Sequence, residues 1–137
     1  MESTIEDNKI ENVSYNFAKT IFNNINNDIF SKLLFTSDSI YSSSKIKGSL
    51  KLVDVILKTT NNNLDIVITD GTANIGTDSI HLALCFKHVN AIEYLNMNYN
   101  ALKNNIDALN TKKHMKSYNG DPTILIKDRQ PDLIYID

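Results

Sequence analysis

Several residue types that build common kinds of site are scarce in this sequence of 137 residues. The single cysteine, Cys85, excludes a disulfide framework and a zinc site made of several cysteines. The three histidines do not have the spacing of metal ligands, so we predict no metal site. No run of roughly 18 apolar residues is present, and we therefore expect no membrane-spanning helix.

The net charge is also small. It is −2 at pH 7, so the chain lacks the overall positive field that draws proteins to nucleic acids or anionic membranes. Apolar residues make up 42% and charged residues 22%, which is typical of a folded domain, and the length fits about one domain. The acidic, polar start is unlike a signal peptide. With so little cysteine, we expect an intracellular protein, cytoplasmic or nuclear.

Within the first 60 residues, the regular elements that the sequence predicts are helices. Residues 1–12 are polar, and we expect them to be disordered. Residues 13–60 form a predicted helical N-terminal extension, with an amphipathic helix at about 12–31 and a second helix at about 49–58. The serine-rich stretch 36–48 ends at a glycine and is predicted to be a loop.

From residue 61 the pattern changes to short β-branched runs that alternate with helical periodicity. The predicted strands lie at 64–70, 88–93, 115–118 and 132–137. This alternation predicts an α/β fold for residues 61–137, a Rossmann-like sheet of about four mostly parallel strands.

Acidic residues follow these predicted strands. Asp70 closes the first strand, Glu93 the second and Asp137 the last. Asp121 lies in the loop after the third. Ligands of open parallel sheets bind beyond the carboxyl ends of the strands, so these carboxylates are the candidate site.

The loop after the first strand has small residues at Gly71, Ala73 and Gly76, close to the spacing of a dinucleotide-binding fingerprint. Such a loop lets a ligand approach the backbone, although a plain strand-to-helix turn explains a lone match equally well. Glu93 follows Asp70 at the sequence separation where dinucleotide-binding folds have a carboxylate that accepts hydrogen bonds from ribose hydroxyls. Together these features predict an adenosine-containing cofactor.

A longer match narrows the choice of cofactor. Residues 70–84 and 89–93 resemble the first two motifs of class I S-adenosylmethionine-dependent methyltransferases. More narrowly, the sequence resembles the RNA cap guanine-N2 methyltransferases, the trimethylguanosine synthase family with its relatives in large DNA viruses. Residues 104–106, 119–121 and 132–137 are similar to later motifs of that family.

The resemblance implies S-adenosylmethionine as the cofactor. The residues it implies as cofactor-binding are Asp70, Gly71, Thr72, Ala73, Asn74, Gly76, Glu93, Tyr94 and Asp121. Asp70 is implied to position the methionine amine, Glu93 to hold the ribose hydroxyls, and Asp121 to contact the adenine amino group. Asn74 stands where the family has a glycine, and asparagine tolerates a positive φ better than most residues.

The family places an Asn/Asp/Ser-Pro-Pro-aromatic motif after the fourth strand, and Asp137 matches its first residue. The resemblance implies Asp137 as catalytic and RNA, capped or uncapped, as the substrate. Since the given sequence ends at Asp137, we expect weak or no activity of this chain alone. We also expect a partner chain or a second copy to cover the edge of the sheet.

Two other hypotheses about the function of the chain stay open. The chain is alternatively a non-catalytic S-adenosylmethionine-binding or scaffold subunit that needs a partner chain. The fingerprint spacing by itself also fits an NAD-binding module. Asp78, near the start of the helix that follows the loop, would repel a pyrophosphate, which favours the first two readings over NAD.

Overall fold

The computed structural model describes residues 8–128 and 130–137. Most of the predicted disordered segment 1–12 lies outside the described residues. Its last residues are ordered, because Ile10–Glu11 form a short strand, β1, that pairs antiparallel with a second short strand, β2, at Phe35–Thr36.

The N-terminal extension contains four helices. They are α1 (Tyr15–Ile21), α2 (Asn27–Lys32), α3 (Ser37–Ser42) and α4 (Ile46–Thr59). The single helix predicted at 12–31 is therefore wrong. The backbone of Phe22 is extended, Asn24 has a φ of 56°, and the Asn26 side chain caps α2, so local polar residues divide the apolar pattern into two helices.

The predicted loop at 36–48 is also wrong, since α3 occupies its first half. Thr36 and Ser39 form a capping box, in which each side chain accepts a hydrogen bond from the backbone of the other. A high serine content indicates a loop. Here, however, the three-residue spacing of Thr36 and Ser39 lets them cap a helix.

The remaining elements are β3 (Val67–Asp70), α5 (Thr77–Ala83), β4 (His88–Glu93), α6 (Asn96–Ala108), β5 (Met115–Asn119), α7 (Pro122–Leu125) with a 3-10 turn at Ile126–Asp128, and β6 (Leu133–Tyr135). They alternate as predicted up to β5, and a short helix and a 3-10 turn that were not predicted precede the last strand. None of the helices within residues 8–128 and 130–137 is long and apolar enough to cross a membrane.

The main sheet has four parallel strands in the order β5-β4-β3-β6. This confirms the predicted α/β class with a Rossmann-like parallel sheet. In the described part of the chain β6 pairs with β3 alone, and the side chain of Ile134 on it is half exposed. The partner chain or second copy that we expect at this edge stays a prediction.

One hydrophobic core joins the sheet to the N-terminal extension. Ile68 and Val89 from the central strands are fully buried, as is Leu102 of α6. Ala18 and Ile21 of α1 belong to the same cluster. Each fully buried aliphatic side chain of Val, Ile or Leu size stabilises a fold by about 1.5–3 kcal/mol, so the extension contributes directly to the stability of the sheet domain.

A buried asparagine on α6 connects the extension to the sheet. The Nδ2 of Asn105 donates to the carbonyls of Leu34 (2.9 Å) and Ile75 (3.1 Å). Its Oδ1 accepts from the backbone N–H of Leu34 at 2.8 Å. Asn105 is fully buried, so water cannot replace these contacts.

We expect Asn105→Ala to lower the free energy of unfolding by about 3 kcal/mol, because the buried carbonyl of Ile75 and two half-buried backbone groups of Leu34 lose their partner. Urea denaturation followed by circular dichroism measures the change. The matched control is Asn100→Ala at an exposed position of the same helix, which should not destabilise the protein. Equal stability of the two variants would contradict the role given to Asn105.

Candidate functional site

The carboxyl ends of β3, β4 and β6 surround a groove with a volume of about 350 Å³. Six residues predicted as site residues line it: Gly71, Thr72, Asn74, Glu93, Tyr94 and Asp137. The sheet register brings them together, since Asp70 lies beside Ala91 on one side and beside Tyr135 on the other. The candidate site therefore lies at the sheet edge where the strand pattern places it.

Asp70 lies beneath the groove, and its side chain is fully buried. Its Oδ1 accepts from the backbone N–H of Thr72 at 2.9 Å and from the Thr72 hydroxyl at 3.3 Å. Its Oδ2 accepts from the hydroxyl of Ser79 at 2.6 Å. Burial raises the pKa of Asp70 to about 6, although these hydrogen bonds oppose the rise. The residue organises the loop and makes no direct contact with the groove.

The loop at residues 71–76 requires small or permissive residues at two positions. Asn74 has a φ of 56°, as expected of a residue that replaces a glycine. Gly76 has a φ of 105°, and a Cβ there would lie 2.9 Å from the Cδ1 of Ile80. Ala73 and Gly76, both predicted as site residues, are buried and do not line the groove.

Glu93 is held by two backbone groups. Its Oε1 accepts from the N–H of Asn74 at 2.8 Å, and its Oε2 accepts from the N–H of Leu95 at 3.0 Å. Burial raises the pKa of this carboxyl, and the nearby charge of Asp38 acts in the same direction. The Asn98 side chain also hydrogen-bonds this carboxyl and lowers its pKa, so about one of its roughly four lone-pair sites stays free for a ligand.

The sequence analysis missed four lining residues. The N-terminal extension supplies Asp38 and Ser42 of α3, and the sheet domain supplies Asn98 of α6 and Pro122 of α7. The Nδ2 of Asn98 donates to the Oδ2 of Asp38 at 2.8 Å, and the Nδ2 of Asn74 donates to the Oγ of Ser42 at 2.7 Å. Asp38 and Asn98 are 60 residues apart in sequence, and no local motif relates them.

Asp121, predicted to contact adenine, lies outside the groove lining. Its side chain caps α7, because the Oδ1 accepts from the backbone and the hydroxyl of Thr123 at 2.9 and 2.7 Å. The Thr123 hydroxyl and backbone lower the pKa of this exposed carboxyl. The next residue, Pro122, lines the groove, whereas Asp121, which was predicted to contact the adenine, does not.

The groove is acidic. Asp38, Glu93 and Asp137 line it, and none of the lining residues that the structure describes is Lys, Arg or His. Such a surface favours a cationic or zwitterionic ligand and disfavours one with two negative phosphates.

A second buried carboxylate follows the loop, in the first turn of α5. The Oδ1 of Asp78 accepts from the hydroxyl of Ser49 at 2.7 Å. Its Oδ2 accepts from the hydroxyls of Ser44 at 3.0 Å and Tyr135 at 3.2 Å. Asp78 therefore joins the extension to β6.

These residues fit an adenosine-containing sulfonium cofactor. The acceptor capacity left on Glu93 suits a ribose hydroxyl, and the three lining carboxylates suit a positive charge. The Oδ1 of Asn74 is buried and accepts no hydrogen bond from the described residues, so it can accept one from a ligand amine or hydroxyl. The volume of the groove lies in the range of small-molecule sites.

Solved structures with the same fold are methyltransferases and related enzymes. A candidate O-methyltransferase from Klebsiella pneumoniae superimposes with a TM-score of 0.62 at 11% identity, over 89% of this chain and 58% of that chain. A candidate transferase from Pyrococcus horikoshii has a TM-score of 0.57 at 23% identity, over 74% and 38% of the two chains. A SAM-dependent methyltransferase from Neisseria gonorrhoeae has a TM-score of 0.51 at 24% identity, over 61% and 42%.

The fold is that of the Rossmann-like methyltransferases. The chain spans between 38% and 58% of the length of these three neighbours. The sequence itself matches no protein-family model and no curated protein.

Because the pKa of Asp70 is raised, we expect the free energy of unfolding to depend on pH. The folded protein binds this proton more tightly than the unfolded chain, whose carboxyl has a pKa of 3.8. The stability that Asp70 contributes is therefore full below about pH 4 and is lost as the pH rises through about 6. A shift of about two units corresponds to a loss on the order of 3 kcal/mol.

We expect Asp70→Asn to remove this part of the pH dependence. An asparagine in place of Asp70 keeps an acceptor for Thr72 and a group that bonds the hydroxyl of Ser79, but it does not ionise. Urea denaturation at about pH 4.5 and 7.5 gives the free energy of unfolding of the wild type and of Asp70→Asn. Asp65→Asn, at an exposed carboxylate, is the control. If wild type and Asp70→Asn lose the same stability between these pH values, the burial of charge at Asp70 is not the cause.

Proposed function

We propose that this chain binds S-adenosylmethionine in the acidic groove and forms the cofactor-binding part of a methyltransferase. The observation that carries the proposal is Glu93, a groove-lining carboxylate at the end of β4 that two backbone N–H groups hold in place and that keeps acceptor capacity for a ligand hydroxyl. The fold shared with methyltransferases and the sequence motifs of residues 70–84 and 89–93 support it.

Each part of the groove has a role in this proposal. Glu93 accepts hydrogen bonds from the ribose hydroxyls, and the exposed ring of Tyr94 packs beside the nucleoside. Gly71 leaves room for the ligand beside the loop, and Asp70 acts on the methionine end indirectly by holding that loop. When bound, the cofactor supplies an electrophilic methyl group on a sulfonium cation, and Asp38 offers this cation a negative neighbour.

The acidic groove argues against the NAD alternative. A dinucleotide would bring two phosphates into a groove lined by three carboxylates, close to the buried charge of Asp78. Like charges at short range in a partly buried site cost several kcal/mol. S-adenosylmethionine carries no phosphate, so it avoids this repulsion.

For the methyl acceptor we propose a nucleobase amine of RNA, the guanine N2 of a cap. The support is the sequence resemblance to the cap guanine-N2 methyltransferases, including residues 119–121 and 132–137. Asp137, the proposed catalytic residue, lines the groove, and its backbone N–H donates to the hydroxyl of Thr72 at 2.9 Å. Its position beside the cofactor groove is the one that an acceptor-orienting residue needs.

Titration calorimetry tests the cofactor. We expect S-adenosylhomocysteine to bind the wild-type chain and NAD to show no binding. Glu93→Gln should weaken S-adenosylhomocysteine at least about tenfold, because hydrogen bonds to a charged acceptor are stronger than those to an amide.

The matched control is Asp107→Asn, an exposed carboxylate of α6 that does not line the groove. Circular dichroism of each variant shows whether the fold is kept. NAD binding, or an unchanged affinity of Glu93→Gln for S-adenosylhomocysteine, would refute the proposed cofactor site.

A methyl-transfer assay tests the acceptor. With radiolabelled S-adenosylmethionine and excess protein, we expect slow labelling of RNA that carries a 7-methylguanosine cap, confined to the guanine N2. RNA with an inosine cap lacks that amine and should stay unlabelled.

The assay separates the open alternatives. Equal labelling of the inosine-capped RNA would refute guanine N2 as the acceptor. No labelling by a chain that binds S-adenosylhomocysteine would favour the non-catalytic binding subunit.

A further inference from the structure

A second cavity lies on another part of the molecule. It has a volume of about 230 Å³ and opens between the turn after α1, one side of α5 and the end of α6. Among residues 8–128 and 130–137 it shares no lining residue with the acidic groove. The function proposed for the groove therefore does not depend on it.

The walls of this cavity are mostly apolar. Phe22, Ile29, Ile80, Leu84 and Leu109 line it, and none of the lining residues in the described part of the chain is Asp, Glu, Lys or Arg. A charged ligand would lose its hydration there without a partner, so the cavity selects uncharged, apolar molecules.

One polar group in the lining lacks a partner. His81 is 5% exposed, and its Nδ1 lies 2.6 Å from the carbonyl oxygen of Thr77. A carbonyl only accepts, so Nδ1 carries a proton, and in the tautomer with its one ring proton on Nδ1 the Nε2 is an acceptor. Nε2 is buried and has no hydrogen-bond partner among the described residues.

A water molecule on this acceptor has Asn23, Asn24 and Thr111 as further polar neighbours in the lining, but it leaves the five apolar side chains of the walls in contact with water. A ring compound with one O–H or N–H group satisfies Nε2 and covers the apolar walls together. An engineered apolar cavity of about 150 Å³ holds benzene, so 230 Å³ has room for a substituted ring.

We propose that this cavity binds a small, uncharged, planar ring compound whose single donor, a phenol or indole type of group, bonds to the Nε2 of His81. The juxtaposition of an orphaned buried acceptor and apolar walls carries the proposal. No cofactor or RNA is needed for it.

Two ligands that differ in the donor test the proposal on the full chain. Phenol and toluene have nearly the same size, but toluene has no hydrogen-bond donor. Amide chemical shifts of isotope-labelled protein give both affinities, and we expect phenol to bind about tenfold more tightly than toluene, with shifts at cavity residues such as Leu84 and Thr111.

Variants locate the hydrogen bond. His81→Phe should remove the preference for phenol, whereas His114→Phe, at an exposed histidine outside the cavity lining, should keep it. The ring nitrogen signals of the wild type give a readout that needs no variant, since phenol should move the Nε2 resonance of His81 and toluene should not.

Several results would overturn the proposal. They are equal affinities of phenol and toluene for the wild-type chain, shifts confined to residues away from the cavity, an unmoved Nε2 resonance when phenol is bound, or no binding of either compound. A preference for phenol that survives in His81→Phe would also reject His81 as the acceptor.

Discussion

The buried carboxylate of Asp70 accepts hydrogen bonds from Thr72 and Ser79, and so joins the end of β3 to the loop and to the first turn of α5. The rest of the candidate site depends on this connection. The loop presents Gly71 to the groove and aims the backbone N–H of Asn74 at the Oε1 of Glu93. Because burial raises the pKa of Asp70 to about 6, the loop is held by a carboxylate whose charge is unfavourable at neutral pH.

The N-terminal extension completes the groove as well as the core. The side chain of Asn98 on α6 connects three residues of the N-terminal part of the chain. Its Oδ1 accepts from Asn8 and Thr36, and its Nδ2 donates to Asp38. These contacts place α3 against the sheet edge, so that Asp38 faces the same groove as Glu93. The resulting surface is acidic on both sides, which matches a zwitterionic sulfonium cofactor better than a pyrophosphate.

Local polar residues explain where sequence prediction of the fold failed. The strands were predicted because β-branched runs bounded by turn residues indicate buried parallel strands. The helix at 12–31 and the loop at 36–48 were wrong because periodicity and composition ignore caps. Asn26 starts a new helix where the apolar pattern continues, and the Thr36–Ser39 capping box starts one where composition suggests a loop.

The sequence by itself determined the parallel sheet, the strand ends and the carboxylates that follow them, because strand periodicity and the carboxyl-end rule are local properties of the chain. Residues such as Gly71 and Glu93 were found in this way. Only the tertiary structure decided that Asp70 lies beneath the groove, that Asp121 caps a helix beside it, and which residues of the extension form its other wall. The contact between Asp38 and Asn98 joins residues 60 positions apart, and such contacts are set by packing of the whole core.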